Sequence, residues 1–158
     1  MFLRYSGISY GMPYLVLLPS LIVGLAVSVH DVQCRRIPRL WILCGFLAQL
    51  LAYAIWMIQG GSMAVIVEAL LISLLSALVQ LLLALLRPGA LGFGDVTCTL
   101  LIGLAVGSQG IFRSALWWLI MGLLGCCCLV WAHMRGLDSI AYAPVIVSSG
   151  LIATVLNF

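Results

Sequence analysis

Between Met63 and Leu86 the chain runs for twenty-four residues with one charged side chain, Glu68. Hydrocarbon about 30 Å thick is crossed by about 20 apolar residues at 1.5 Å each, so this run alone is long enough to span a bilayer. Backbone polar groups find no water there and must pair within the segment, which makes the run a helix. The same pattern returns over Pro13–His30, Pro38–Ile58, Ile111–Met134 and Ala143–Phe158. Turns rich in Gly, Pro, Gln or Arg separate the runs: Gln59-Gly60-Gly61-Ser62, Arg87-Pro88-Gly89, Gly107-Ser108-Gln109-Gly110 and Arg135-Gly136-Leu137-Asp138. With 65% hydrophobic and 7% charged residues in 158, against roughly 25% charged in soluble domains, the composition leaves no stretch for a separate soluble domain. The expectation is an all-α membrane protein, one polytopic bundle of six transmembrane helices over residues 1–158.

The remaining helix, fourth in chain order, is the exception. From Asp95 to Val106 the uninterrupted part is about 18 Å long at helical rise, too short to cross alone. Gly92 to Gly94 are therefore expected as non-helical backbone at membrane depth, which is tolerated only beside protein or a water-filled cavity.

Net charge is +3, from seven arginines and no lysine. The arginines stand at the ends of apolar runs, where they act as a topology signal, so nucleic acid is excluded as a partner. Arg35, Arg36, Arg39, Arg87 and Arg135 fall on one side of a six-pass chain, and Arg4 and Arg113 on the other. The positive-inside rule makes the first side cytoplasmic and puts both termini outside. The run from Met12 to Val29 exceeds a signal-peptide core and ends in charge, so it reads as the first membrane helix. Cys126, Cys127 and Cys128 are consecutive, about 100° apart around a helix, and read as packing residues.

Four acids exist: Asp31, Glu68, Asp95 and Asp138. An ionisable group at membrane depth costs several kcal/mol and is by default a functional residue with a partner to be found. Parity puts Asp31, closing the first helix, and Asp95, opening the fourth, at the same face; Glu68 falls at the other. Two carboxylates held close in a partly dry cleft share one proton, the state in which one activates water and the other hydrogen-bonds a carbonyl oxygen. Gly92 and Gly94 allow close approach of an extended peptide beside such a pair. The residues also allow a non-enzymatic reading, a small transporter or assembly subunit in which Asp31 and Asp95 relay protons or bind a partner helix.

Asp31 followed by Arg35-Arg36-Ile37-Pro38, with Gly92-Phe93-Gly94-Asp95-Val96 further on, resembles the two signatures of the type IV prepilin peptidases, GxGD-type intramembrane aspartic proteases. Tyr142-Ala143-Pro144 at the start of the last helix is similar to that family's core as well. The resemblance implies that Asp31 and Asp95 are the catalytic pair, with Gly92, Phe93, Gly94, Arg35 and Arg36 at the substrate. It implies that a short basic leader is cut from prepilins or pseudopilins at the cytoplasmic face of a bacterial inner membrane, with no cofactor. Arg39 and Thr97 stand where members often carry Asn and Lys. The resemblance is to short, peptidase-only members, as found beside Flp-type or tight-adherence pili, with no separate methyltransferase region. Arg35, Arg36 or Arg39 is expected to meet the acidic glutamate near the cleavage site of such substrates.

The other polar residues have plainer readings. Asp138-Ser139 is a helix start, Glu68 faces the bundle or snorkels outward, and His30 and His133 are interfacial. Trp41, Trp117, Trp118 and Trp131 are expected at headgroup level. Asp31 with Cys34, and Asp95 with Cys98, are the one combination spaced as metal ligands, but Cys34 is expected past its helix end and no metal is expected.

Overall fold

A computed structural model describes residues 13–86, 92–136 and 140–156. These residues form six helices in chain order: α1 Tyr14–Cys34, α2 Arg39–Ile58, α3 Met63–Leu86, α4 Phe93–Gly107, α5 Ile111–Met134 and α6 Ala143–Val155. Four of them, α1, α2, α3 and α5, are long and apolar enough to cross a membrane. At 15 and 13 residues, α4 and α6 reach only about 22 and 20 Å. Arg4, Arg87-Pro88-Gly89, Leu91 and Asp138-Ser139 lie outside the described residues.

Length and burial go together. The long helices bury one stripe and turn the rest outward, as α2 does with Ile42, Gly45, Gln49, Tyr53 and Trp56 three or four residues apart. By contrast, eleven of the fifteen residues of α4 are buried, because α4 packs against each of the other five helices. It is the pillar of the bundle. α6, with eight of thirteen residues buried, stands beside it between α1 and α5. A helix wrapped in protein does not have to match the lipid thickness, so the short elements sit inside and the long ones outside.

Among lipid-facing helices, water gives no hydrophobic drive for association, so close packing at small residues holds the bundle. α3 and α4 run antiparallel with Gly103 on Ser73 and Gly107 on Ala69; a Cβ on Gly103 would stand 2.9 Å from the Ser73 Cα. Gly24 of α1 leaves the room that Ile102 and Val147 fill, and Gly150 of α6 sits under Ile102 and Trp117.

At the end of the bundle away from Asp31, polar side chains bind backbone across the helices, although Ser20 Oγ has no partner among the described residues. Pro19 lies inside α1 and lacks an N–H, so that turn of the helix is weakened. Gln49 of α2 repairs it: its carbonyl oxygen accepts the Ser20 N–H at 3.1 Å and its amide donates to the Val16 carbonyl at 2.8 Å. The side chain thus spans the donor and acceptor that a regular turn would pair with each other. Tyr53 donates its hydroxyl to the Leu104 carbonyl at 2.7 Å. Arg113 donates to the Ala153 and Thr154 carbonyls at 3.0 and 3.2 Å, capping the last turn of α6 with positive charge.

Several boundaries differ from expectation. α1 continues one turn past His30, so Asp31 lies within the helix and Cys34 ends it. The stop is Arg35, in the left-handed conformation (φ 50°), with its N–H bonded to the Asp31 carbonyl. Helices usually stop this way at Gly or Asn, so the sequence carries no sign of it. Phe93 and Gly94 are helical rather than irregular, and only Gly92 is extended, at φ −82° and ψ 152°. α2, α3 and α5 match their expected spans to within one residue. Trp117 is a correction: it is fully buried, donating to the Ile146 carbonyl at 3.1 Å, because Gly150 opposite leaves room for the indole. Trp118 is half-buried and donates to Ser76. Glu68 is exposed at the Gly110 end, and Cys126 and Cys127 face outward.

Candidate active site

Three helix ends converge where the two aspartates lie. α1 brings the last turn before Arg35, α4 its first turn, and α6 its N-terminus, and the three helices pack against one another. Asp31 and Asp95 are 7% and 9% exposed, so neither carboxyl is a solvated surface group.

Asp95 is the third residue of α4 and reaches back so that its Oδ2 accepts the Gly92 N–H at 2.9 Å. That is the acidic half of a capping box, and it puts the carboxylate at the positive end of the helix. Asp31 Oδ2 accepts the Ala143 N–H at 3.3 Å, from the first turn of α6. Pro144 in that turn needs no hydrogen bond of its own, and the freed N–H groups of a helix start point at an anion. Both acids therefore lie at helix N-termini, one by sequence and one across the bundle.

The two sequence blocks meet side by side. Asp31 lies near enough for its charge to act on Asp95, and both act on Cys98, one turn further along α4. Ile37 packs on Gly94, where a Cβ would come within 2.8 Å of the Ile37 Cβ, so the glycine is what allows the approach. Arg39 lies over the Phe93 ring, 5.9 Å from its centroid. His30 bonds through Nδ1 to the Arg36 carbonyl at 2.8 Å and sets its ring edge-on to Trp41, which fixes the connection between α1 and α2.

Of the residues expected at a substrate, Gly92, Phe93, Arg35 and Arg36 are exposed around the two acids, and Gly94 is half-buried beneath Ile37. Phe93, 60% exposed, offers an apolar face beside the acid pair. The candidate metal set does not assemble. Cys34 is exposed and Cys98 buried, and among the described residues no three His, Cys, Asp or Glu side chains gather as ligands.

Two participants had no individual sign in the sequence. Ala143 acts through its backbone, which no side-chain pattern reports. Tyr142 turns its hydroxyl toward Gly125 of α5, within electrostatic reach of Asp95. The helix start Tyr142-Ala143-Pro144 was the available signal.

The fold thus brings two buried carboxyls to one end of the bundle beside the exposed backbone of Gly92. No protein-family model, curated protein or solved structure matches the chain.

Proposed function

We propose that this protein is an intramembrane aspartic endopeptidase that removes the short basic leader from type IV or Flp-type prepilins or pseudopilins. The observation behind this reading is the meeting of two blocks, Asp31 to Pro38 and Gly92 to Asp95, distant in sequence and joined by Ile37 on Gly94 and Arg39 on Phe93, with both acids buried where they meet. Their resemblance to the prepilin-peptidase signatures supplies the substrate class.

In this mechanism one ionised carboxylate takes a proton from water as the water oxygen bonds to the scissile carbonyl carbon. The protonated partner gives its proton to the carbonyl oxygen, whose π pair moves onto that atom. Collapse of the tetrahedral intermediate breaks the C–N bond and sends a proton to the leaving nitrogen, leaving one proton on the pair as at the start. Asp31 and Asp95 fill these roles as a unit, and Gly92 and Phe93 border the substrate strand. In this reading the acid end faces the cytoplasm at a bacterial inner membrane, an orientation that the distribution of arginines supports, and all six helices are in the membrane with α4 and α6 crossing within protein.

The test is cleavage of a prepilin peptide by purified protein in detergent. Asp31→Asn and Asp95→Asn should each abolish cleavage while the protein still expresses and folds. Full cleavage by both variants, or none by the unmodified protein, rejects the reading. Proton flux in vesicles that depends on the same acids, without cleavage, would select the transporter.

A further inference from the structure

The interface of α3 with α4 carries a polar stripe that the acid pair does not use. Ser73, Ser76 and Gln80 recur along one face of α3 and are all buried. On α4, Thr99 follows Asp95 by four residues and so lies on the same face, one turn deeper. Register comes from Gly103 on Ser73 and Gly107 on Ala69. Seven residues onward from Ser73 and seven back from Gly103 bring Gln80 level with Val96, beside Asp95.

Most of the stripe is internally satisfied. Ser73 donates to the Leu100 carbonyl, Ser76 accepts from Trp118, and the Gln80 amide points its nitrogen at the Met121 sulfur at 3.7 Å. Two polar atoms are not: Gln80 Oε1 and Thr99 Oγ1 have no partner among the described residues, although their side chains are 2% and 0% exposed. A buried polar atom left unpaired costs about 1–3 kcal/mol; Ser20 Oγ of α1 is a third such atom among the described residues, but it stands by itself, whereas Gln80 and Thr99 share one interface at the level of the first turns of α4. Internal water bound by two to four polar partners is the usual resolution. Gln49 is the contrast, buried as deeply but with both ends of its amide bonded to α1.

We propose that Gln80 and Thr99 hold internal water against the inner side of Asp95, and that they are positioning residues for the water consumed at the acid pair. The hydration rests on the two unpaired atoms; the catalytic part rests on the proposed peptidase reading. Gln80 is fixed at one end by Met121, so its oxygen is set rather than free to rotate into another role. Thr99 supplies a hydroxyl that both donates and accepts, suited to passing a water's hydrogen bond on toward Asp95.

Two measurements test this separately. Water-edited solid-state NMR on protein in deuterated lipid compares water-to-protein polarisation build-up at the Gln80 and Gln49 side-chain amides and at Thr99. Fast build-up at Gln80 and Thr99 with slow build-up at Gln49 is expected; equally slow build-up at all three overturns the proposal. In the peptide assay, Gln80→Leu and Thr99→Val should lower kcat about tenfold at unchanged KM, with a thermal midpoint equal to or above that of the unmodified protein. A lowered midpoint with kcat per folded molecule intact would mean a merely structural stripe and reject the catalytic role. If the unmodified protein cleaves nothing, the peptidase reading fails and the NMR result still decides the hydration.

Discussion

The two ends of this bundle use their buried polar side chains differently. At the end near Pro19, Gln49, Tyr53 and Arg113 each bind backbone carbonyls of another helix, although the Ser20 hydroxyl beside them has no partner among the described residues. At the other end two carboxyls lie buried, each holding one backbone N–H and keeping acceptor capacity, and deeper in lie Gln80 and Thr99 with open valences. A membrane protein gains stability where its polar groups are saturated and gains chemistry where they are not. Removing a polar group should therefore damage folding at one end and activity at the other.

The largest expected effect is at the acid end. Asp31→Asn or Asp95→Asn should reduce kcat/KM for a prepilin peptide by about 10²–10⁴-fold, the range of positioned acid–base catalysis, with unfolding midpoints unchanged or raised. Loss of folding in place of activity would dissolve the contrast between the ends. The pH profile should be bell-shaped. At low pH both carboxyls are protonated and no base remains; at high pH both are ionised and no acid remains, so the rate falls on either side.

Next in size is a stability effect at the Pro19 end. Gln49→Leu leaves the Ser20 N–H and Val16 carbonyl without their partners beside Pro19 and should cost about 1–3 kcal/mol in a detergent unfolding titration. Were Gln49→Leu neutral, the repair of α1 would not be what holds that end. Gly103→Ala forces a Cβ to 2.9 Å from the Ser73 backbone, so α3 and α4 must separate, at a cost of about 1–3 kcal/mol by the same titration. Cys34→Ser should change activity, stability and bound metal by nothing measurable, within about 0.5 kcal/mol, since its side chain is exposed at the end of α1. A coupled loss of metal and activity would revive the ligand set made with Cys98.

Much of the fold was legible because hydropathy is local. The spans of α2, α3 and α5 follow from runs bounded by Pro, Gly and Arg, each of which acts on its own stretch of backbone. The end of α1 was not legible, because an arginine does there what glycine usually does, held by the Asp31 carbonyl. Trp117 was misplaced for a related reason: whether an indole seeks the headgroups or the interior depends on whether a facing helix has a gap, and Gly150 provides one. At the candidate site Asp31 and Asp95 stood out as acids in apolar surroundings, whereas Gly94, expected as a break, is helical, and Ala143 contributes an N–H that every residue but proline possesses.

By itself the sequence determined that the chain is helical and lives in a membrane, because unpaired peptide groups cannot be left in hydrocarbon. It also singled out the few side chains that are costly to place there. Only the tertiary structure decided that α4 and α6 are inner helices, that Ile37 rests on Gly94, and that Gln49 is saturated while Gln80 is not. Those outcomes depend on which small residue on one helix meets which side chain on another. Such a pairing is fixed by three-dimensional packing, and no single stretch of sequence contains both partners.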